Sequence, residues 1–327
     1  MELTVDLFGV RFQNPVLLAS GTCGFGAEVI SVTRVEALGG LVTKSVTLEP
    51  RAGNPAPRVA EFGAGMLNSV GLANPGAGRV RREALPWIEA NLSATVVFVS
   101  VAGHTTEEYS QVVQILDDGP GFLGFELNLS CPNDAQRSGL PFALDPEALH
   151  QVVSGVRRRT ERPILVKLAP NTPDLTPVIR AAEDAGADGL TLVNTLPGLI
   201  VGPEDGRSVL GAGAGGVSGP ALRAVGIHAV WSAAQQTDLP LVGVGGIGSG
   251  KDAAQYLAVG ASLVQIGTAS FWDSRAAERS VHELRSLGAA RGARSVLELR
   301  GAPIVPGSAR TARSEEPAPD RESVPLG

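Results

Sequence analysis

Cysteine is almost missing from this chain of 327 residues: there are two, Cys23 and Cys131. Two thiols cannot build a disulfide framework. They also cannot hold an iron–sulfur cluster, which takes about four thiolates. Reduced thiols fit a cytoplasmic setting. Aromatic residues make up only 4% of the chain, so the core is expected to be rich in Val, Leu and Ala. No apolar run approaches the roughly 20 residues needed to cross a bilayer. The start, Met1-Glu2-Leu3-Thr4-Val5-Asp6, lacks the basic and apolar regions of a signal peptide. Positive charge is in deficit, with a net charge of −6 and a pI near 5.4. That argues against a general nucleic-acid or anionic-membrane binder. The four histidines, His104, His150, His228 and His282, show no ligand spacing, and no metal is assigned. No Walker-type loop and no Gly-x-Gly-x-x-Gly in a strand–helix context is present, which argues against a nucleoside triphosphate or a Rossmann-bound dinucleotide.

Lysine is also scarce. Of 27 basic residues three are lysine: Lys44, Lys167 and Lys251. Lys251 opens a helix after a glycine loop and reads as solvated. Lys44 (Leu41-Val42-Thr43-Lys44-Ser45) and Lys167 (Ile164-Leu165-Val166-Lys167-Leu168) sit near the C-terminal ends of apolar runs. Desolvating a charge there is costly unless a partner compensates. Snorkelling to the rim is the alternative reading.

What the chain does have is glycine (41), proline (23) and 43% hydrophobic residues, enough for one large core. After a short hairpin over Leu3–Val5 and Phe8–Phe12, strand and helix patterns alternate. The apolar runs are Val16–Ala19, Leu41–Ser45, Thr95–Ala102, Phe122–Leu129, Ile164–Leu168, Leu190–Asn194, Leu241–Val244 and Leu263–Ile266. Helical patterns between them include Leu149–Arg159, Pro177–Ala185, Pro220–Gln235 and Asp252–Val259. Eight near-continuous apolar strands with helical crossovers predict an α/β fold, a closed parallel (β/α)8 barrel of the TIM type. A doubly wound open sheet is the alternative. Three insertions, Glu49–Asn74, Asp134–Asp145 and Leu196–Ser218, all follow strands and so share the C-terminal face, where long loops serve as lids or binding loops. The expected division is a catalytic barrel over residues 1–303 and a disordered tail over residues 304–327, rich in Pro, Ser, Glu and Arg from Pro306 onward.

The most informative stretch is Asn128-Leu129-Ser130-Cys131-Pro132-Asn133, which places two carboxamides and a thiol at the end of an apolar strand. Pro132 ends the pairing. Barrel ligands bind at that end. Two glycine turns, Gly243-Val244-Gly245-Gly246-Ile247 and Gln265-Ile266-Gly267-Thr268-Ala269, close the seventh and eighth strands. Glycines let backbone N–H groups approach a phosphate, and barrel phosphate sites recur in these two loops. Turns that merely close the barrel are the alternative. A phosphate site near strand-end lysines and carboxamides fits FMN, with Lys167 facing the charge that develops on a reduced flavin.

These motifs, together with Thr43-Lys44-Ser45, Met66-Leu67-Asn68-Ser69-Val70-Gly71-Leu72, Val193-Asn194-Thr195 and Ser218-Gly219-Pro220, resemble dihydroorotate dehydrogenase in order from about residue 3 to residue 300. Asn54-Pro55-Ala56-Pro57-Arg58-Val59 and Gly65-Met66-Leu67-Asn68 resemble the NAD-linked class 1B catalytic subunit more than the fumarate-linked class 1A. Cysteine rather than serine at position 131 argues against the membrane-associated class 2, as does the lack of an N-terminal amphipathic extension. The resemblance implies oxidation of dihydroorotate to orotate in pyrimidine biosynthesis. Cys131 would take the C5 proton, since a thiol with a pKa of about 8.5 is partly ionised near working pH. Substrate would meet Lys44, Asn68, Ser69, Val70, Gly71, Leu72, Asn128, Asn133, Asn194 and Thr195. FMN would meet Ser20, Lys44, Ser45, Ser100, Asn128, Lys167, Val193, Gly219, Gly245, Gly246, Gly267 and Thr268. Ser100 stands where the family pattern has Asn, and its shorter hydroxyl reaches less far. A lid over Asp134–Asp145 would exclude water.

Because this chain cannot hold an iron–sulfur cluster, the resemblance further implies a partner subunit carrying FAD and a [2Fe–2S] cluster, NAD as acceptor, and a homodimer within a heterotetramer. Three other readings stay open: a fumarate-using enzyme, another FMN barrel acting on a pyrimidine, and a silent FMN-binding scaffold. Cys23 could face a flavin, but a small buried cysteine is the simpler reading. Asn68 and Asn194 could merely cap loops.

Overall fold

The alternation of strand and helix patterns closes on itself. The computed structural model describes residues 1–129 and 141–301. Eight parallel strands form a closed barrel in chain order: β3 (Val16–Leu18), β4 (Gly40–Val42), β7 (Val96–Val101), β8 (Gly124–Asn128), β9 (Ile164–Leu168), β10 (Gly189–Leu192), β13 (Leu241–Val244) and β14 (Leu263–Ile266). Each lies within or at the edge of an apolar run seen in the sequence. The expected closed barrel is therefore the fold, and the open sheet is excluded because β10 pairs with both β9 and β13 while β14 pairs with β3. The strands are short, between three and six residues, and nearly every position in them is buried. That is why they read as continuous apolar runs rather than alternating ones.

The crossover elements include α1 (Ala77–Arg79), α2 (Leu85–Asn91), α3 (Thr106–Leu116), α4 (Pro146–Arg157), α5 (Thr176–Asp184), α6 (Arg223–Ala234) and α7 (Gly250–Ala258), and α8 (Ala269–Trp272) and α9 (Ala276–Ala290) follow the last strand. Several start where the sequence supplies an acceptor for the first free N–H groups. Thr105, Asp145 and Ser249 accept from the backbone N–H of Glu108, Ala148 and Asp252. The core is Val, Leu and Ala, as the low aromatic content predicts, with Phe12, Phe98, Phe125, Tyr109 and Tyr256 as its largest buried side chains.

The hairpin at the start differs in register from the sequence reading. Its strands are β1 (Val5–Leu7) and β2 (Val10–Phe12), and Phe8-Gly9 is the turn between them. Both turn residues have positive φ, 53° and 74°, the geometry of a two-residue hairpin whose twist matches its strands. Phe8 is therefore a turn residue. Its ring packs edge-on against Phe98 of β7 at 5.9 Å, so the hairpin covers the N-terminal end of the barrel.

Two of the three insertions are not plain loops. Residues 49–74 contain β5 (Val59–Phe62) and β6 (Gly65–Asn68), and residues 196–218 contain β11 (Leu196–Gly198) and β12 (Gly215–Ser218). Together they form a four-stranded antiparallel sheet in the order β11-β12-β6-β5, with Leu67 opposite Val217. Each strand has three or four residues, and although β5 and β6 form a local hairpin, the pairing of β6 with β12 spans about 150 positions, so no local alternation announces the sheet. Most of the remaining insertion, residues 134–145, with Cys131 and Asn133 before it, lies outside the described residues, as does the expected tail over residues 304–327. No helix among the described residues is long and apolar enough to cross a membrane.

Candidate functional site

The C-terminal ends of the strands open into a cavity of about 580 Å³. Its position follows from the backbone ladder. Past β4, Thr43 N–H donates to Phe98 O and Val46 N–H to Ser100 O, so Lys44 and Ser45 ride on the strand's extension. Past β10, Val193 N–H donates to Val244 O and Asn194 N–H to Leu168 O, which fixes those two residues against β13 and β9. On the opposite side Met66 and Asn68 of β6 and Gly215, Gly216 and Ser218 of β12 form a wall.

The residues singled out from the sequence converge here. Ser20, Lys44, Ser45, Asn68, Ser69, Val70, Gly71, Leu72, Ser100, Asn128, Lys167, Val193, Asn194, Thr195, Gly219, Gly245, Gly246, Gly267 and Thr268 all line the one cavity. Cys131 and Asn133 are outside the described residues, and nothing is said of their placement. Asn128 is the last residue of β8 and ends two positions before the segment that holds them.

A chain of polar side chains crosses the cavity. Ser45 Oγ lies 3.4 Å from Ser20 Oγ and 2.8 Å from Ser100 Oγ, and accepts from Asn128 Nδ2 at 3.2 Å. Asn128 Oδ1 accepts from Asn194 Nδ2 at 3.0 Å, and Asn194 Oδ1 accepts from the Thr195 N–H at 2.8 Å. From behind, the Tyr109 hydroxyl donates to Asn128 O. Five strand ends are thus tied by side chains whose carboxamides offer both donors and acceptors. Ser100 is fully buried behind Ser45. On the other wall Asn68 Nδ2 donates to Gly216 O, and Asn54 Nδ2 donates to Ser69 Oγ.

The two strand-end lysines have opposite surroundings. Lys167 is 6% exposed and donates to Glu126 Oε1 at 3.2 Å. Glu126 is fully buried and its other oxygen accepts from Thr191 Oγ1 at 3.0 Å and Gln265 Nε2 at 2.7 Å. Four strands therefore share one carboxylate beneath the cavity, which compensates the buried ammonium. Lys44 has no such partner: no described side chain makes an ion pair or hydrogen bond with its ammonium. Burial holds its pKa below the usual lysine value, and the nearby Arg58 guanidinium lowers it further. A partly buried cation at a cavity wall, with no partner among the described residues, can take an anion by charge and by hydrogen bonding.

The glycine turns offer a second set of donors, made of backbone. The N–H groups of Gly246 and Thr268 have no acceptor among the described residues. Gly246 adopts φ +67°, and a Cβ there would meet Arg223 N and Gly219 O at 2.8 Å. Only glycine fits that turn. Thr268 Oγ1 donates to Ser218 Oγ at 2.8 Å, joining the turn to β12. These free donors, the unpaired Lys44 and the carboxamide chain fit a phosphorylated planar cofactor beside a polar ring.

Glu126, Thr191 and Gln265 escaped the sequence reading. The available signal was Glu126 itself, a lone acid in the run Phe125-Glu126-Leu127-Asn128. It lies two residues from Asn128, on the same strand face, and matches a lone lysine on the next strand. Met66, Asn171 and Phe271 also line the cavity without having been singled out. Cys23 is wholly buried and its Sγ lies 3.2 Å from Val42 O. Burial raises its pKa to about 12, so it is an inert core thiol.

The dihydroorotate dehydrogenase family model matches residues 2–287. The chain belongs to the dihydroorotate dehydrogenase family. Among its relatives, a protein of Solibacter usitatus named putative dihydroorotate dehydrogenase A (fumarate) is 45% identical over 300 residues, covering 92% of this chain and 98% of its own. The catalytic subunit of dihydroorotate dehydrogenase B (NAD(+)) from Geobacter sp. strain M21 is 42% identical over 301 residues, with the same coverage. The protein of that name from Desulforudis audaxviator is 42% identical over 302 residues, 92% of this chain and 97% of its own. Dihydroorotate dehydrogenase family membership fits the barrel and the polar cavity at its mouth, and it agrees with the sequence resemblance. The names of the relatives divide between two electron acceptors.

Proposed function

We propose that this chain oxidises dihydroorotate to orotate in pyrimidine biosynthesis, with FMN held in the cavity and electrons leaving through a partner subunit to NAD. One observation carries the reading. A single cavity joins a partly buried lysine and a carboxamide chain on one side to backbone donors of two glycine turns on the other, the lysine and the donors having no partner among the described residues. Its volume is within the range of small-molecule sites, about 300–1,000 Å³.

When bound, FMN supplies the hydride acceptor for C6 of the substrate. The protein's own groups do the rest. The Gly246 and Thr268 N–H groups bind the phosphate, as glycine turns do in barrels of this kind. Lys167, held by Glu126, would hold a positive charge beside the bound flavin, where negative charge develops on reduction. Lys44 binds the substrate carboxylate. Asn68, Asn128, Asn194 and Thr195, with Asn133, read the N–H and C=O edge of the ring. Cys131 takes the C5 proton, so that one proton and one hydride leave the two adjacent carbons.

The NAD-linked reading rests on the sequence motifs near Asn54 and Met66 and on the B-type names of several relatives. Two cysteines cannot carry electrons onward through an iron–sulfur cluster, so a partner with FAD and [2Fe–2S], in a heterotetramer around a homodimer in the cytoplasm, completes the proposal. The test is orotate formation by the purified chain with an artificial acceptor, with fumarate, and with NAD in the presence and absence of the partner. NAD-dependent turnover only with the partner is expected. Efficient turnover with fumarate alone would favour the A-type reading. No orotate with any acceptor would contradict the proposal.

A further inference from the structure

Tyr256, on α7, lies outside the cavity, yet it contacts the glycine turn that bounds it. It is fully buried. Its hydroxyl lies 2.6 Å from Gly245 O, and 3.4 Å from Val244 O and Arg223 O. A phenol has one proton to donate, and the nearest carbonyl, Gly245 O, takes it. Burial raises the phenol's pKa, so the group stays a donor throughout the working range. The chain makes room for it with two glycines. A Cβ on Gly226 would fall on the Tyr256 hydroxyl, and one on Gly243 would fall on its ring.

The Gly245–Gly246 peptide is planar and trans, so its C=O and N–H point in opposite directions. Pinning Gly245 O toward Tyr256 sends the Gly246 N–H the other way, toward the cavity that both glycines line. That N–H has no acceptor among the described residues.

We infer that the Tyr256 hydroxyl fixes the orientation of the Gly245–Gly246 peptide and so presents the Gly246 N–H to the cofactor phosphate. Tyr256 is a positioning residue: it acts through the peptide and does not touch the ligand. The inference rests on the FMN reading above and extends it to a residue on the outer side of the barrel. Two glycines in sequence give a freely rotating peptide unless something holds it. Arg223 N and Gly219 O crowd Gly246 from one side, and the phenol restrains the carbonyl from the other.

The experiment compares equilibrium binding of FMN and riboflavin to the full chain freed of flavin, read by quenching of flavin fluorescence. Riboflavin lacks the phosphate and reports on the rest of the site. The wild type is expected to bind FMN more tightly. Tyr256→Phe removes one oxygen and should weaken FMN about tenfold, the worth of roughly one hydrogen bond, while leaving riboflavin unchanged. Gly226→Ala keeps the phenol but excludes it from its place, and should show the same selective loss. Loss of both ligands in parallel would make Tyr256 a packing residue and overturn the inference. So would an unaltered FMN preference in both variants. A wild type that binds the two flavins equally would defeat the phosphate reading itself, a result separable from the other two because no variant is needed to obtain it.

Discussion

The two ends of this barrel are built from the same eight strands by opposite means. At the N-terminal end a hairpin lays Phe8 against Phe98 in an apolar contact, and the buried polar side chains there, Asn14 and Thr95, bond backbone groups of neighbouring segments. At the C-terminal end the strands finish in Lys44, Ser45, Ser100, Asn128, Lys167 and Asn194, and polar side chains bridge one strand to the next. Burial alone does not distinguish the ends, since Glu126 and Ser100 are as buried as Phe98. The difference is in what compensates burial. An apolar contact needs only complementary shape, whereas a buried charge needs a named partner. The end that carries such partners, and one cation with no partner among the described residues, is the end proposed to bind.

The comparison can be broken at several points. The largest effect belongs to Cys131→Ser, which should keep flavin and lose turnover near neutral pH by about 10²–10⁴-fold, the usual contribution of a positioned base. Steady-state rates beside a flavin spectrum check this, and an unchanged rate would remove Cys131 from that role. Next is Glu126→Gln, which leaves Lys167 buried without its counter-charge and should cost about 3 kcal/mol or more. Denaturant unfolding would show it, together with weaker flavin binding that a purely structural glutamate would not produce.

Lys44 sharpens the comparison through pH. Burial depresses its pKa in the free protein, and a bound anion favours the charged form and raises it. Affinity for an anionic substrate should therefore be level below the free pKa. Above that pKa it should fall by about tenfold, or 1.4 kcal/mol, per pH unit until the bound pKa is passed. Dihydroorotate or orotate titrations across alkaline pH test this, and Lys44→Met should abolish the dependence. The smallest effect is at the other end. Phe98→Leu removes a ring–ring contact and should cost about 1 kcal/mol of stability, with flavin affinity near that of the wild type. A marked loss of flavin there would blur the division between the two ends.

The barrel was legible in the sequence because each of its strands is a run of apolar residues bounded by glycine and helix signals. Ala185-Gly186-Ala187-Asp188-Gly189 before β10 is one such boundary. The cavity wall was not legible. Its sheet joins Gly65–Asn68 to Gly215–Ser218, two short pieces about 150 positions apart, each also paired with a short strand nearer in the chain. Phe8 shows the limit at single-residue scale: an aromatic between apolar neighbours reads as strand, but the adjacent Gly9 makes it a turn. Of the candidate site residues, the strand-end lysines and carboxamides and the glycine turns could be named from the strand pattern, and most of the others came from the family resemblance. The Glu126 cluster was missed because an acid inside an apolar strand looks anomalous until its lysine is set opposite. Tyr256 was missed because it acts from outside the barrel on a backbone carbonyl, and no local pattern marks such a contact.

The central claim is that the polar end of the barrel binds FMN and passes electrons to it from dihydroorotate. The most direct test is the anaerobic visible spectrum of the purified chain, reconstituted with FMN where needed, before and after dihydroorotate is added. The account predicts flavin bands that bleach on addition of the substrate. Bands that persist, or a chain that takes up no FMN, would contradict it.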